Sequence, residues 1–169
     1  LRQPGPSGVF PPFTVVQGID IGGLDEDEAR ELLRSRLDPL LDLEVALVVE
    51  GRRFLTTWRR LGASLDIERA LRKARARPSA GRSAVPLTIL RPIPVSATFD
   101  EGKLLRFLRG LAGKVNKEPE DARLIWLGRG RRRIVPERRG FGIKVNEAAR
   151  LIKKVGKWPR TATIVLPVK

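Results

Sequence analysis

Residues 43–58, LEVALVVEGRRFLTTW, decide the fold class of this chain. Apolar and β-branched residues dominate both ends of the stretch, and Glu50-Gly51 separates them, which is the pattern of two strands joined by a tight turn. The spacing of apolar residues predicts one helix before it, over residues 26–37, and one after it, over residues 67–77. A hairpin between two amphipathic helices predicts an α+β fold, with a sheet and helices packed against it.

The second half of the chain repeats this order of elements. It contains a helix after Asp100, a hairpin over residues 121–136, a helix capped by Asn146 and a final strand. Corresponding residues lie 75 or 80 positions apart, as in the pairs Asp25 and Asp100, Phe54 and Ile134, Gly62 and Gly142, and Asp66 and Asn146. We therefore predict two degenerate helix-hairpin-helix-strand units that share one core. The alternative is one fold with accidental pseudo-symmetry.

The predicted domain boundaries follow from composition and from this repeat. Residues 1–14 contain four Pro and two Gly without periodicity, so we expect a linker there. Residues 15–169 form one predicted domain, with pseudo-repeats over about residues 15–95 and 96–169. Each unit alone, at roughly 75 residues, has only a marginal core, so we expect the halves to share a sheet and a core.

The residue types present exclude several classes of function. The chain of 169 residues contains no Cys, no His and no Tyr. It therefore has no disulfide, no Cys/His zinc site, no Cys nucleophile and no Ser-His-Asp triad. The acidic cluster at residues 25–28 lies in the first turn of a predicted helix, where the helix dipole favours carboxylates. We predict no catalytic residue, no metal site and no cofactor.

The charge of the chain points to an anionic partner. There are 34 Lys and Arg against 19 Asp and Glu, a net charge of +15, and 25 of the basic residues are Arg. Arginine favours bidentate contact with carboxylate or phosphate. Nucleic acid, an acidic membrane surface and an acidic polymer of the bacterial cell wall all satisfy this charge, and a high-GC coding bias would also produce the arginine excess.

Most of the net charge is predicted to lie in one region. Residues 122–160 contain 13 Lys and Arg against two Glu, a net charge of +11. The predicted ligand-binding residues are the basic side chains in and after the second hairpin and last helix, with two tryptophans that have basic neighbours in the sequence: Arg129, Arg131, Arg132, Arg133, Arg138, Arg139, Lys153, Lys154, Lys157, Trp58 and Trp158. The alternative is a solvated hairpin tip and helix face. Trp126 alternates with apolar neighbours, so its sequence context leaves open which way it faces.

Several short motifs give the chain a resemblance to a known family. The motifs are Gly18-x-x-Ile21-Gly22-Gly23-Leu24 followed by Glu28-Ala29, Leu61-Gly62 before Asp66, Pro119-x-Asp121-Ala122, and Val135-Pro136 before Gly140. Over about residues 15–169 the chain resembles the peptidoglycan-binding domain of some L,D-transpeptidases and of VanW-like (YoaR-type) cell-surface proteins. The resemblance implies a non-catalytic module of an extracytoplasmic bacterial protein, whose membrane anchor is expected outside this chain. It supplies no binding residues that can be assigned to numbered positions.

The leading functional hypothesis is therefore a module that binds peptidoglycan or an associated anionic wall polymer in the cell envelope. One alternative is a structural or protein-interaction spacer that holds an enzyme or a VanW-like domain off the membrane. Nucleic-acid binding is the third class, and it explains the charge only. The sequence contains no RNP-like, zinc-knuckle or helix-turn-helix signature and no glycine-rich nucleotide loop, so no specific nucleic-acid partner is expected.

Overall fold

The computed structural model describes residues 8–76 and 91–169, and its helices and strands confirm the α+β class. In these residues there are four α-helices: α1 (Glu26–Leu37), α2 (Ile67–Arg75), α3 (Glu101–Val115) and α4 (Val145–Val155). The same residues form nine strands: β1 (Val15–Val16), β2 (Ile19–Asp20), β3 (Glu44–Val49), β4 (Arg52–Thr57), β5 (Ala63–Leu65), β6 (Ala97–Phe99), β7 (Arg123–Gly128), β8 (Arg131–Val135) and β9 (Ala162–Val165). Much of the strand predicted after residue 84 lies outside the described residues.

A three-stranded sheet joins the two halves of the chain. Its order is β4-β3-β9, with β3 antiparallel to β4 and parallel to β9. The register places Leu47 opposite Phe54 on one side and opposite Ile164 on the other. Strand β3 thus comes from the first predicted unit and β9 from the second, so the final strand completes a sheet that the first hairpin begins.

One group of buried residues, which we call the sheet cluster, lies between this sheet and the second helix pair. Val45, Leu47 and Val49 of β3 are buried together with Leu108 of α3 and Ile152 of α4. Antiparallel α3 and α4 therefore cover one face of the sheet. We predicted a single shared core, and this cluster does draw on both halves of the chain.

The remaining buried residues form a second group, the helix cluster, around α1 and α2. Leu33 and Leu71 are buried there against Val16 and Ile93, and Leu65 packs against both clusters. The core is thus divided, because the first helix pair is covered by its own N-terminal segment. Phe10 belongs to this cover: it is buried, and its N–H donates to the carbonyl of Leu24 at 2.8 Å. The end of the predicted linker is therefore part of the folded unit.

The predicted helix caps are observed at three of four sites. Asp25 forms a capping box with Glu28, and Asp66 and Asp100 each accept an N–H three residues later. The prediction for Asn146 was wrong, since α4 begins at Val145 and Asn146 lies inside it. The residue just before α4 is Lys144, whose N–H donates to the carbonyl of Pro167. This contact places the start of the helix one residue before Asn146.

An ion network joins the first two helices. The Arg30 guanidinium of α1 donates to Glu68 of α2 at 2.7 Å and also contacts Glu26 and Asp27 of its own helix. The hydrogen bond from Arg30 is the main cause that lowers the pKa of Glu68, and the charge of Arg30 acts in the same direction. The pKa of Arg30 is raised for the same reason.

Replacing Glu68 should therefore change stability in a pH-dependent way. A lowered folded-state pKa stabilises the fold above the unfolded pKa of about 4.3, and this contribution is lost as the pH falls through the folded value. Glu68→Gln should lower the free energy of unfolding at pH 7 by about 0.5 kcal/mol or less, because the pair is half exposed. Urea unfolding at about pH 7 and about pH 3 measures this, with Glu31→Gln on the exposed side of α1 as control. A deficit of equal size at both pH values would contradict it.

A second prediction concerns the packing around Trp58. A Cβ added at Gly156 would lie 2.5 Å from Cζ3 of Trp58 and from Cζ of Phe99, two rings that meet edge to face. Gly156→Ala should lower the free energy of unfolding by about 1–3 kcal/mol through overpacking. The control is Gly110→Ala in α3, where no atom lies within 4 Å of the added Cβ. It should stabilise the protein by about 0.5–1 kcal/mol, since Ala favours a helix over Gly. Thermal unfolding of both variants measures these changes. Similar shifts of the melting temperature in Gly156→Ala and Gly110→Ala would contradict the prediction.

Candidate functional site

The second hairpin projects from the body of the protein and carries most of the predicted site. Residues 123–135, which we call the arm, comprise β7, the turn and β8. All side chains of β7 are exposed, and those of β8 are exposed except the half-buried Val135. The same ribbon continues below the arm, because Glu120 pairs with Arg138 and Lys117 pairs with Phe141.

A close backbone approach fixes the base of the arm. A Cβ added at Gly140 would lie 2.5 Å from the backbone nitrogen of Pro119 and 2.7 Å from the carbonyl of Lys117. Only glycine fits between these strands without displacement. Gly140 and Pro119 belong to the two short motifs that flank the hairpin in the sequence, and the structure brings those motifs together.

Register and turn geometry set the faces of the arm. Leu124 is paired with Ile134 and Trp126 with Arg132, so these four side chains share one face. Ile125 is paired with Arg133 on the other face, and a bulge follows Trp126. At the tip, the turn residues Gly128, Arg129 and Gly130 all have positive φ values between 51° and 80°. Arg129 therefore sits at the extreme end of the ribbon.

The predicted arginines divide between the arm and its base. The arm holds five Arg and no acidic residue, a net charge of +5. Among the described residues no Asp or Glu lies within ion-pair distance of any of the five: Arg123, Arg129, Arg131, Arg132 and Arg133. Arg138 and Arg139, together with Arg123 at the start of the arm, line a cleft with Glu118, Glu120 and Asp121. The four arginines from Arg129 to Arg133 lie beyond that cleft, and none of them has an ion-pair partner among the described residues.

The predicted lysines lie at the opposite end of the second helix pair. Lys153 Nζ of α4 contacts Glu101 Oε1 at the start of α3, at 3.2 Å. The carbonyl of Lys157 accepts a hydrogen bond from Ala97, just before that start. The arm follows the end of α3, and a 15-residue helix is about 22 Å long. Lys153, Lys154 and Lys157 are therefore not beside the arm, and the basic region predicted as one surface is two.

The three tryptophans occupy very different environments. Trp58 is fully buried in the sheet cluster, where its indole N–H donates to the carbonyl of Arg160 at 2.8 Å. Trp158 is half-buried and packs against the helix cluster. Trp58 therefore presents no ring to a ligand, whereas Trp126 is 67 % exposed on the arm. Sequence reasoning did not select Trp126, although the uninterrupted apolar run of residues 124–127 beside five arginines marks the same place.

Across residues 8–76 and 91–169 no cluster of Asp or Glu is arranged to hold a metal ion. The carboxylates of Glu26, Asp27 and Glu68 are taken up by the network around Arg30. In the same two ranges, no helix has the length and apolar character needed to cross a bilayer.

Comparison with known proteins places these features in a family. A family model described as "Putative peptidoglycan binding domain" matches residues 56–163. No curated protein and no solved structure matches the chain. The matched region runs from β4 into β9 and contains the second helix pair and the whole arm. Because it covers well over half of the sequence, the chain belongs to this peptidoglycan-binding domain family.

Proposed function

We propose that the protein is a non-catalytic module that binds peptidoglycan, or an anionic polymer attached to it, through the arm. The observation that carries the proposal is the cluster of five arginines without a carboxylate partner on a projecting ribbon. Charges left unpaired by the protein's own residues are available to an external anion. Membership of a family of binding domains supports the same role.

The chemistry of the arm fits such a polymer. A guanidinium forms two parallel hydrogen bonds with a carboxylate of a stem peptide or a phosphate of a teichoic-type chain. Trp126 lies across from Arg132 on one face, so an exposed indole ring accompanies the charge. An aromatic ring beside a cationic group suits a ligand that alternates apolar ring faces with anionic groups, as an acidic glycopeptide does.

The proposal includes the setting of the module. We infer an extracytoplasmic location in the cell envelope, since peptidoglycan lies there. The resemblance to the domain that precedes L,D-transpeptidase and VanW-like regions supports a parent protein tethered to the membrane. In that setting the arm would hold the parent against the wall, and Arg138 and Arg139 at its base would add to the attraction.

Substitution of the arm arginines tests the proposal. In the variant R131Q/R132Q/R133Q, binding to purified sacculi should fall about tenfold at low salt, since each exposed contact contributes about 0.5 kcal/mol. The melting temperature should stay nearly constant, because these side chains are exposed. Binding by the unmodified chain should also weaken as salt rises, since the Debye length shortens. Co-sedimentation with sacculi at two salt concentrations measures both effects.

The control variant loses the same three positive charges, but from positions outside the arm. R36Q/R106Q/R109Q removes three exposed arginines from α1 and α3, and it should bind sacculi nearly as well as the unmodified chain. Equal losses in the two triple variants would show that only net charge matters. Full binding by the arm variant would leave the spacer as the better account. Strong gel shifts with RNA or DNA at physiological salt would favour the nucleic-acid class.

A further inference from the structure

We propose that the arm also docks onto an anionic phospholipid bilayer, lying in the headgroup layer with its Trp126 face toward the lipid. This inference goes beyond wall binding, because it concerns the aliphatic side chains of the arm. A polymer of sugars and short peptides offers little to cover Leu124, Ile125, Leu127 and Ile134. These side chains and Trp126 are five of the nine exposed large hydrophobic residues in the part of the chain that is described.

The first hairpin shows how unusual this exposure is. Strand β3 is as apolar as β7, yet Val45, Leu47 and Val49 are buried against α3 and α4, and β9 pairs with its edge. An uninterrupted apolar strand is typical of a strand covered on both faces. Ile134 is 71 % exposed and Trp126 67 %. An exposed apolar group of this kind marks an interaction surface.

The positive charge of the arm favours an anionic partner over a second copy of the arm. Its net charge of +5 would have to be brought against an identical charge if the arms of two copies paired, and like charges disfavour that arrangement. An anionic lipid surface supplies negative headgroups and an apolar layer at the same place. Juxtamembrane basic residues are attracted to such a surface, and tryptophan prefers the boundary between headgroups and acyl chains.

The geometry of the ribbon sets the depth of insertion. Leu124, Trp126 and Ile134 share one face, and the aliphatic stem of Arg132 can lie along the lipid while its guanidinium reaches a phosphate. Among the described residues, neither outer edge of the β7-β8 pair has a further strand beside it. Free backbone N–H and C=O groups are not tolerated in the hydrocarbon core. The arm therefore lies in the hydrated headgroup region and does not cross the bilayer.

Vesicle binding tests this directly. The full chain should co-sediment with vesicles of phosphatidylglycerol and phosphatidylcholine, and far less with phosphatidylcholine alone. L124S/I134S should weaken that binding about tenfold or more, because it removes two of the three apolar side chains of the face. The matched control L55S/V165S removes two exposed apolar residues of the three-stranded sheet and should bind as the unmodified chain does. Tryptophan emission should shift to shorter wavelength on binding, and Trp126→Phe should abolish the shift.

The outcomes separate this inference from wall binding. R131Q/R132Q/R133Q should lose affinity for both sacculi and vesicles, whereas L124S/I134S should lose far more affinity for vesicles than for sacculi. Equal binding to neutral and anionic vesicles, or unchanged vesicle binding by L124S/I134S, would overturn the lipid proposal and leave wall binding untouched. If R131Q/R132Q/R133Q kept its full affinity for sacculi while the vesicle results were as expected, wall binding through the arm would be wrong and the lipid proposal would stand. If sedimentation equilibrium showed self-association that L124S/I134S abolishes, the arm would pair with a second copy instead.

Discussion

The parallel pairing of β3 with β9 is the constraint on which the rest of this structure depends. The paired residues are more than a hundred positions apart, from Val45 with Ala162 to Val48 with Val165. Closing so long a connection costs conformational entropy, and burial of the sheet cluster offsets it. Once β9 lies beside β3, α4, which precedes β9 in the chain, is brought against the sheet, and α3 packs on α4. The position of α4, and of α3 against it, follows from that pairing.

The antiparallel packing of α3 and α4 then determines where the charges lie. Asn116 at the end of α3 accepts a hydrogen bond from Ile143 just before α4, at 3.0 Å, and Lys153 reaches Glu101 at the other end. The chain leaves this helix pair between Asn116 and Ile143 to build the ribbon. The arm therefore projects from the end remote from Lys153. Basic residues that are close in sequence are separated by the length of a helix.

Local features of the fold were predictable from the sequence, and features set by distant contacts were not. Asp25 and Asp66 act within three residues of themselves, so capping chemistry identifies them without knowledge of the fold. Trp58 is buried where its indole N–H donates to the carbonyl of Arg160, which lies 102 residues away. Trp126 is exposed because no element of the described residues covers β7, and the alternation of residues along a strand carries no information on such a cover. The divided core also depends on contacts between distant parts of the chain, since Phe10 and Ile93 pack with α1 and α2.

The base of the arm explains how so exposed a ribbon keeps its geometry. An isolated two-stranded hairpin is only marginally stable in water. Here the ribbon is held at its origin by the pairs of Lys117 with Phe141 and Glu120 with Arg138, and by the close approach of Gly140 to Pro119. These contacts fix the register up to Gly128 and Arg131. Arg132 is thereby held on the same face as Trp126 before any ligand arrives, so binding need not order the backbone that presents them. Preorganisation of an arginine beside an aromatic ring favours any partner that places an anionic group next to an apolar surface.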